Sequence, residues 1–132
     1  MTAGETVKGE IFNIIPVLAY NTTEGRTQFH PKGRDLGYIL EYATQYEGMP
    51  FRVYIAGDTE PIEEMKELGD IDVAFLPVNQ PYTMTPEQAI EAIEMIKPKI
   101  VYPYHYGQTD LTPIVEYFKD NADIDVRIRQ LQ

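Results

Sequence analysis

Two apolar segments of this chain each run into a side chain that can bind a metal ion or move a proton. Residues 51–56 lead through a glycine into Asp58, and residues 100–104 lead into His105. The chain has two histidines, and the other one, His30, lies in a polar loop. Carboxylate and imidazole groups are zinc ligands and also serve in general acid–base catalysis. The candidate chemistry therefore rests on three residues.

Both strand-end residues also have ordinary structural interpretations. Asp58 is a common type of turn residue, and it could instead stabilise the N-terminus of a following helix. A phosphoryl-accepting aspartate is a third possibility, although Glu60 is a weak match for the second acidic residue that such sites use. His105 lies between two tyrosines, where a histidine is often packed with one ring nitrogen hydrogen-bonded. The position at a strand end is what favours a functional role for both.

The loop around His30 carries positive charge in an acidic protein. Lys32 and Arg34 follow the histidine closely. The segment is either a solvated basic loop or an anchor, in which Lys32 or Arg34 attracts an anionic group. Tyr82 lies in the loop after a predicted strand at 72–76, and it either forms a pocket wall or packs at the start of a helix. If the site is catalytic, we expect Lys32, Arg34 and Tyr82 to contact the substrate.

Composition limits the classes of partner and compartment. The chain has 132 residues, 21 acidic and 11 basic, and a formal net charge of −10. A chain this acidic repels phosphate backbones, so we expect no nucleic-acid partner. The apolar run at 11–20 is broken by Asn13 and Pro16, and it predicts neither a signal peptide nor a membrane span. The absence of cysteine removes thiolate ligands and suits a cytoplasmic protein.

The sequence predicts one α/β domain over residues 1–132, built on a mixed sheet. Segments rich in Ile, Val, Tyr and Phe and bounded by Gly, Pro or Asn predict strands at about 10–19, 36–42, 51–56, 72–76, 100–104 and 124–128. Apolar residues at helical spacing predict helices at about 61–68, 86–97 and 113–119. Thr59 is the predicted cap of the first helix, and Thr85 forms a capping box with Gln88 before the second.

The alternation of strands and helices after residue 58 positions the candidate residues. Strands joined by helical crossovers run parallel, and right-handed crossovers place their carboxyl ends along one edge of the sheet. Ligand sites of open α/β sheets lie outside that edge. We therefore expect Asp58, Asn79 and His105 to lie together there.

Several short motifs follow one another over residues 10–119. They are Ala19-Tyr20-Asn21, Phe29-His30-Pro31-Lys32-Gly33, Gly37-Tyr38, Tyr54 to Thr59, Ile71 to Pro77, Tyr82-Thr83-Met84, and Pro98 to Tyr106. Their succession resembles the C-terminal half of the metallo-β-lactamase superfamily, in particular its hydrolases related to ascorbate-phosphate lactonases. The resemblance implies an αββα sandwich with two metal ions, usually zinc. It also implies hydrolysis of an ester, lactone, amide or phosphoester by metal-activated water.

The resemblance further implies a role for each candidate ligand. Asp58 matches the aspartate that bridges the two metals, and His105 matches the histidine that binds the second metal. Many relatives have a histidine soon after the first long strand, and His30 either replaces that ligand from the loop or serves the substrate. Zinc is expected, with manganese or iron as alternatives, because histidine and carboxylate serve all three. Asp35, Asp110 or another chain could add ligands.

The family's His-x-His-x-Asp-His signature, which supplies most ligands of the first metal, does not occur in the sequence. The chain therefore resembles half of the sandwich. We expect its exposed apolar sheet face to be covered by a missing N-terminal half or by a second copy in a homodimer. The first hypothesis is a metal-dependent hydrolase module for a small, anionic substrate. The alternative is a non-catalytic α/β pseudoenzyme or assembly module, in which the strand-end residues serve packing alone.

Overall fold

Among the residues that the structure describes, seven strands form one sheet, and their order in the sheet is their order in the chain. The computed structural model describes residues 2–43 and 49–132. The strands β1 to β4 pair antiparallel and β4 to β7 pair parallel. The predicted mixed α/β sheet is therefore confirmed. The strands are β1 (Val7–Lys8), β2 (Phe12–Ala19), β3 (Asp35–Tyr42), β4 (Phe51–Ile55), β5 (Val73–Pro77), β6 (Ile100–Tyr104) and β7 (Asp125–Val126).

Each parallel pair is joined by a helical crossover, because parallel strands cannot be linked by a tight turn. A 3-10 helix (Glu63–Glu67) links β4 to β5, α1 (Pro86–Ile96) links β5 to β6, and α2 (Thr112–Phe118) links β6 to β7. The carboxyl ends of β4, β5 and β6 consequently lie along one edge of the sheet, which we call the site edge.

Local sequence determines where α1 begins and ends. The Thr85 hydroxyl accepts a hydrogen bond from the Gln88 amide (3.1 Å), and the Gln88 side chain accepts one from the Thr85 amide (2.9 Å). This capping box satisfies amides that the first turn of a helix leaves unpaired. The helix closes at Lys97, which has a left-handed backbone (φ 53°) and precedes Pro98. The helix predicted at 86–97 is confirmed.

The helix predicted at 61–68 is wrong in type and length. The segment forms only the 3-10 helix, and no side chain caps it. Thr59, the predicted cap, is fully buried, and its hydroxyl accepts from the Tyr20 amide (3.0 Å) and can donate to the Tyr20 carbonyl (2.9 Å). A tertiary partner therefore occupies the oxygen that would have started an α-helix.

Smaller differences lie near the two ends of the chain. Of the strand predicted at 124–128, only Asp125–Val126 pairs with β6. The two-residue β1 was not predicted, because a segment this short has no alternating apolar pattern. The last predicted helix is confirmed as α2, and it starts one residue earlier, at Thr112. In the part of the chain that the structure describes, no helix is long and apolar enough to cross a membrane.

One face of the sheet is buried under the helices. Tyr54, Ala74 and Val101 align across β4, β5 and β6. All three are fully buried, in one apolar cluster with Ile93 of α1 and Ile114 of α2. The core therefore lies between this face and the helices.

The opposite face of the sheet, which we call the open face, is also apolar. Phe12, Tyr42 and Phe51 align across β2, β3 and β4, and Phe75 stacks on Tyr102 with ring centroids 5.3 Å apart. Phe51 is 41% exposed and the other four are only half-buried. The described residues thus leave a row of aromatic rings in contact with solvent.

Candidate metal centre

Asp58 leaves β4 through a turn that suits only glycine. Gly57 adopts a φ of +72°, and a β-carbon there would lie 2.7 Å from the Leu36 carbonyl oxygen. Residues with side chains disfavour this backbone region, and the neighbouring strand leaves no room for one. The Gly57 amide donates to the Tyr104 hydroxyl (3.1 Å). The turn therefore brings Asp58 to the site edge beside the end of β6.

The Asp58 carboxylate lies between the two histidines. Its Oδ1 atom is 3.1 Å from Nδ1 of His105, and its Oδ2 atom is 3.7 Å from Nε2 of His30. The Asp58 side chain is 39% exposed and the His30 side chain 15% exposed, so the cluster is partly shielded and still reachable from solvent. The structure thus brings together the three residues that the sequence analysis selected.

His105 follows β6 with a left-handed backbone, at a φ of 51°. This conformation is uncommon for a residue with a side chain, and the His105 amide is fixed by donating to the Leu131 carbonyl (2.7 Å). Nε2 of the ring is 3.4 Å from the side-chain nitrogen of Asn79. The Asn79 side chain can donate to Nε2, and in that tautomer Nδ1 donates to Asp58. Asn79 and His105 therefore share the site edge, as predicted.

His30 is oriented by a carboxylate at the end of its own loop. Nδ1 of His30 is 2.9 Å from Oδ2 of Asp35, and Arg34 donates to both Asp35 oxygens (3.0 and 2.8 Å). The Arg34 guanidinium, helped by His30, keeps the pKa of Asp35 below its ordinary value despite partial burial. An ionised carboxylate only accepts hydrogen bonds. Nδ1 of His30 therefore donates to Asp35, and in the neutral form of the ring the lone pair of Nε2 faces Asp58.

The donor chemistry fits a divalent metal ion. Nε2 of His30 and an Asp58 oxygen are 3.7 Å apart, and with the imidazole neutral both can bind a shared cation. Zinc takes such ligands at about 2.0–2.2 Å, and zinc-bound histidines commonly donate their other ring proton to a carboxylate, as His30 does to Asp35. Within residues 2–43 and 49–132, no group of three or more His, Cys, Asp or Glu side chains has the arrangement of a metal site. The residues therefore fit part of a site.

Glu60, two residues after Asp58, is a buried carboxylate that the sequence did not predict as part of the site. Glu60 is 0% exposed, and it accepts hydrogen bonds from the backbone and hydroxyl of Thr23, the backbone of Thr22 and the side chain of Gln88. Burial alone would raise the pKa of Glu60, but these hydrogen bonds together lower it. No local pattern marks this residue, because glutamate is almost always exposed unless it is paired.

Lys32 and Tyr82 flank the loop of His30. The Lys32 ammonium lies 5.0 Å from the centre of the Tyr20 ring. Tyr82 is 46% exposed, and its ring meets that of Phe29 edge-on at 4.9 Å. Both side chains therefore lie on the part of the surface that carries His30.

An open depression lies beside Asp58. It has a volume of about 390 Å³ and is lined by Arg34, Asp35, Leu36, Tyr38, Gly57 and Asp58. The Arg34 guanidinium at its rim is largely committed to Asp35. Asp110, a possible additional ligand, instead accepts from the Thr112 amide (3.0 Å) at the start of α2.

Most of the chain is similar to known proteins. Residues 4–105 match the beta-lactamase superfamily domain. The chain is 32% identical over 128 residues to a metal-dependent hydrolase of Nanoarchaeum equitans, which covers 93% of this chain and 56% of that protein.

Solved structures are similar over almost the whole chain. The crystal structure of a candidate metal-dependent hydrolase from Parabacteroides distasonis is 55% identical, with a TM-score of 0.90, and the match covers 100% of this chain and 57% of that one. A metallo-β-lactamase superfamily structure from Thermotoga maritima shares the fold at 17% identity, with a TM-score of 0.66, over 98% of this chain and 72% of that one. The chain spans little more than half the length of the curated relative from Nanoarchaeum.

Proposed function

This chain belongs to the metallo-β-lactamase superfamily, and from that premise we propose that it is the metal-binding part of a metal-dependent hydrolase. One observation carries the proposal: the Asp58 carboxylate lies between two imidazoles, 3.1 Å from Nδ1 of His105 and 3.7 Å from Nε2 of His30. Carboxylate and neutral imidazole are both ligands of divalent metal ions, so these three side chains would bind one between them. The similarity to proteins named metal-dependent hydrolases supports the same assignment.

Each residue of the cluster receives a distinct role. Asp58 would be the central ligand of a bound divalent ion, and His30 and His105, on either side of it, would be the other two. Asp35, held by Arg34, orients the His30 ring and does not itself bind the metal. A bound divalent ion, for which we propose zinc with manganese and iron as alternatives, would lower the pKa of a coordinated water and polarise the bond to be hydrolysed.

Three ligands do not complete a site for two ions. We propose that the others come from a His-x-His-x-Asp-His segment outside these 132 residues. Two observations support this source: the related proteins are longer, with the chain covering 56% and 57% of two of them, and the open face exposes an apolar surface of the kind that marks an interface. A second copy of the chain, as a homodimer, is the alternative cover for that face.

The proposed substrate is a small anionic molecule with an ester, lactone, amide or phosphoester bond. Lys32 and Arg34 follow His30 closely, and a cation there would attract an anionic group. Arg34 is paired with Asp35, so Lys32 is the stronger candidate for this contact. Tyr82 adds an exposed ring beside the same loop. The depression of about 390 Å³ between Arg34 and Asp58 offers room for a small molecule. For the compartment we propose the cytoplasm, because the chain has no cysteine.

Metal content tests the proposal. After dialysis against Zn²⁺, the purified chain should retain zinc by plasma mass spectrometry, and Asp58→Asn should retain far less with an unchanged circular dichroism spectrum. Asp70→Asn is the matched control, because Asp70 is an exposed acid before β5, at the opposite end of the sheet. Equal zinc in all three proteins would show that Asp58 binds no metal, and would favour the assembly module.

A fusion extends the test to catalysis. The chain would be joined to the part of the Parabacteroides protein that it does not cover, and p-nitrophenyl esters and phosphodiesters would serve as probes. We expect the fusion to hold more zinc than the chain alone and to hydrolyse at least one probe in a manner that depends on Asp58. A folded fusion that holds no metal would refute the hydrolase assignment.

A further inference from the structure

Glu60 connects three parts of the molecule. It follows Asp58 by two residues, and its buried carboxylate accepts from the amides of Thr22 (3.0 Å) and Thr23 (2.8 Å) in the loop that leads to His30. The carboxylate also accepts a hydrogen bond from the side-chain N–H₂ group of Gln88, in the first turn of α1. One side chain therefore joins the Asp58 turn, the His30 loop and a helix of the core.

Backbone hydrogen bonds connect Glu60 to His30 through the loop between β2 and β3, residues 20–34. The Glu60 amide donates to the Tyr20 carbonyl (3.1 Å), and the Asn21 amide donates to the His30 carbonyl (2.8 Å). The start of the loop is thus fixed to Glu60, and the backbone of His30 is fixed to the start of the loop. Asp35, at the start of β3, contacts the His30 ring directly, whereas Glu60 contacts the start of the loop.

The surroundings of Glu60 are built for a charged carboxylate. Arg26 places a guanidinium nitrogen 3.6 Å from one Glu60 oxygen, and the same nitrogen is 3.2 Å from the side-chain oxygen of Gln88. A buried carboxylate is costly unless donors surround it, and an apolar side chain of similar size would fill the space at lower cost. Glu60 therefore calls for an explanation beyond packing.

We propose that Glu60 is a positioning residue of the metal site, which holds His30 at the distance from Asp58 that a shared ion requires. The need for this distance in metal binding rests on the proposed function. The position of His30 relative to Asp58 is independent of that function and can be measured in the metal-free chain.

Four variants test the placement. Glu60→Ala removes both carboxylate oxygens and keeps the backbone bond to Tyr20. Glu60→Gln leaves one side-chain acceptor and puts a new N–H₂ group opposite the N–H₂ of Gln88. The reciprocal pair Glu60→Gln with Gln88→Glu restores the hydrogen bond with its direction reversed, since Glu at 88 can still accept from the Thr85 amide. Glu63→Gln is the control, because the Glu63 side chain is 79% exposed.

The primary measurement is NMR of the metal-free chain. Nuclear Overhauser effects from the His30 ring protons to the Asp58 β-protons report the placement, and those from the His105 ring to Asp58 report the rest of the site edge. We expect Glu60→Ala to lose the His30 signal and keep the His105 signal, Glu60→Gln to weaken the His30 signal, and the reciprocal pair to recover it. A folded Glu60→Ala with an undiminished His30 signal would overturn the inference.

If Glu60→Ala does not fold, the comparison of Glu60→Gln with the reciprocal pair tests whether Glu60 positions His30. A reciprocal pair no better than Glu60→Gln alone would then count against positioning through Gln88 and Glu60. Zinc affinity, measured by competition with a chromogenic chelator, should fall about 10- to 100-fold in the variants that lose the His30 signal. A wild-type chain that binds no zinc would count against the proposed function, while the NMR comparison would still decide the role of Glu60.

Discussion

The close approach of Gly57 to β3 allows a quantitative test of how the site edge is built. In Gly57→Ala the new methyl group would lie 2.7 Å from the Leu36 carbonyl oxygen and 3.3 Å from its carbon. Gly107→Ala is the matched control: Gly107 also has a positive φ, of +53°, but a β-carbon there meets no atom within 4 Å. The pair separates the cost of the backbone conformation from the cost of the clash.

The expected destabilisation follows from two contributions. The left-handed conformation costs about 1–2 kcal/mol for alanine, which is partly offset by the lower entropy of unfolded alanine, at about 0.5–1 kcal/mol. Gly107→Ala should therefore lower the free energy of unfolding by about 1 kcal/mol. Gly57→Ala carries the same cost and must also push its neighbour away, and overpacking of this kind costs a further 1–3 kcal/mol, roughly.

Urea denaturation followed by circular dichroism measures both variants. We expect the midpoint of Gly57→Ala to fall clearly below that of Gly107→Ala, with similar dependence on urea. In the folded Gly57→Ala protein, zinc retention should also decrease, because the displaced turn carries Asp58. Equal midpoints for the two variants would refute the argument that β3 restricts position 57.

Two further predictions concern other strained or buried groups. His105→Gly should be at least as stable to urea as His105→Ala, because glycine removes the left-handed backbone cost at a φ of 51°, and the opposite order would contradict a strained His105. Burial and the hydrogen bond to Glu64 raise the pKa of Tyr20 from 10.0 to about 12. The folded state thus binds this proton more tightly, so its contribution to stability is present below pH 10 and is lost as the pH rises toward 12. Tyr20→Phe should therefore lose less stability over that range than wild type, whereas Tyr82→Phe, at an exposed ring, should behave as wild type; an equal decline in all three would contradict the assignment.

The convergence of Asp58, Asn79 and His105 was predictable because it depends on few rules. Apolar runs identify the strands, and parallel pairing with helical crossovers places their carboxyl ends together. The capping box of Thr85 was predictable for a similar reason, since all its groups lie within one turn of the chain. In each case the determining contacts are local or fixed by topology.

The remaining features depend on contacts that are distant in the sequence. Thr59 has the right type and position to cap a helix, but Tyr20 takes its hydroxyl, so a tertiary contact overrides a local preference. The burial of Glu60 depends on donors from Thr22, Thr23 and Gln88, which lie 28 or more positions away. The approach of His30 to Asp58 depends on the same loop, whose path no periodic pattern specifies.

Because the strands lie in the sheet in the same order as in the chain, the sheet can form progressively during synthesis. Each strand pairs with the one synthesised immediately before it, so a nascent chain can extend the sheet in the direction of translation without waiting for a distant partner. Short separations between pairing segments also close small loops, which favours rapid folding. The imidazole of His30 and the carboxylate of Asp58 can meet early on the ribosome, and His105 arrives only when β6 emerges beside strands that have already formed.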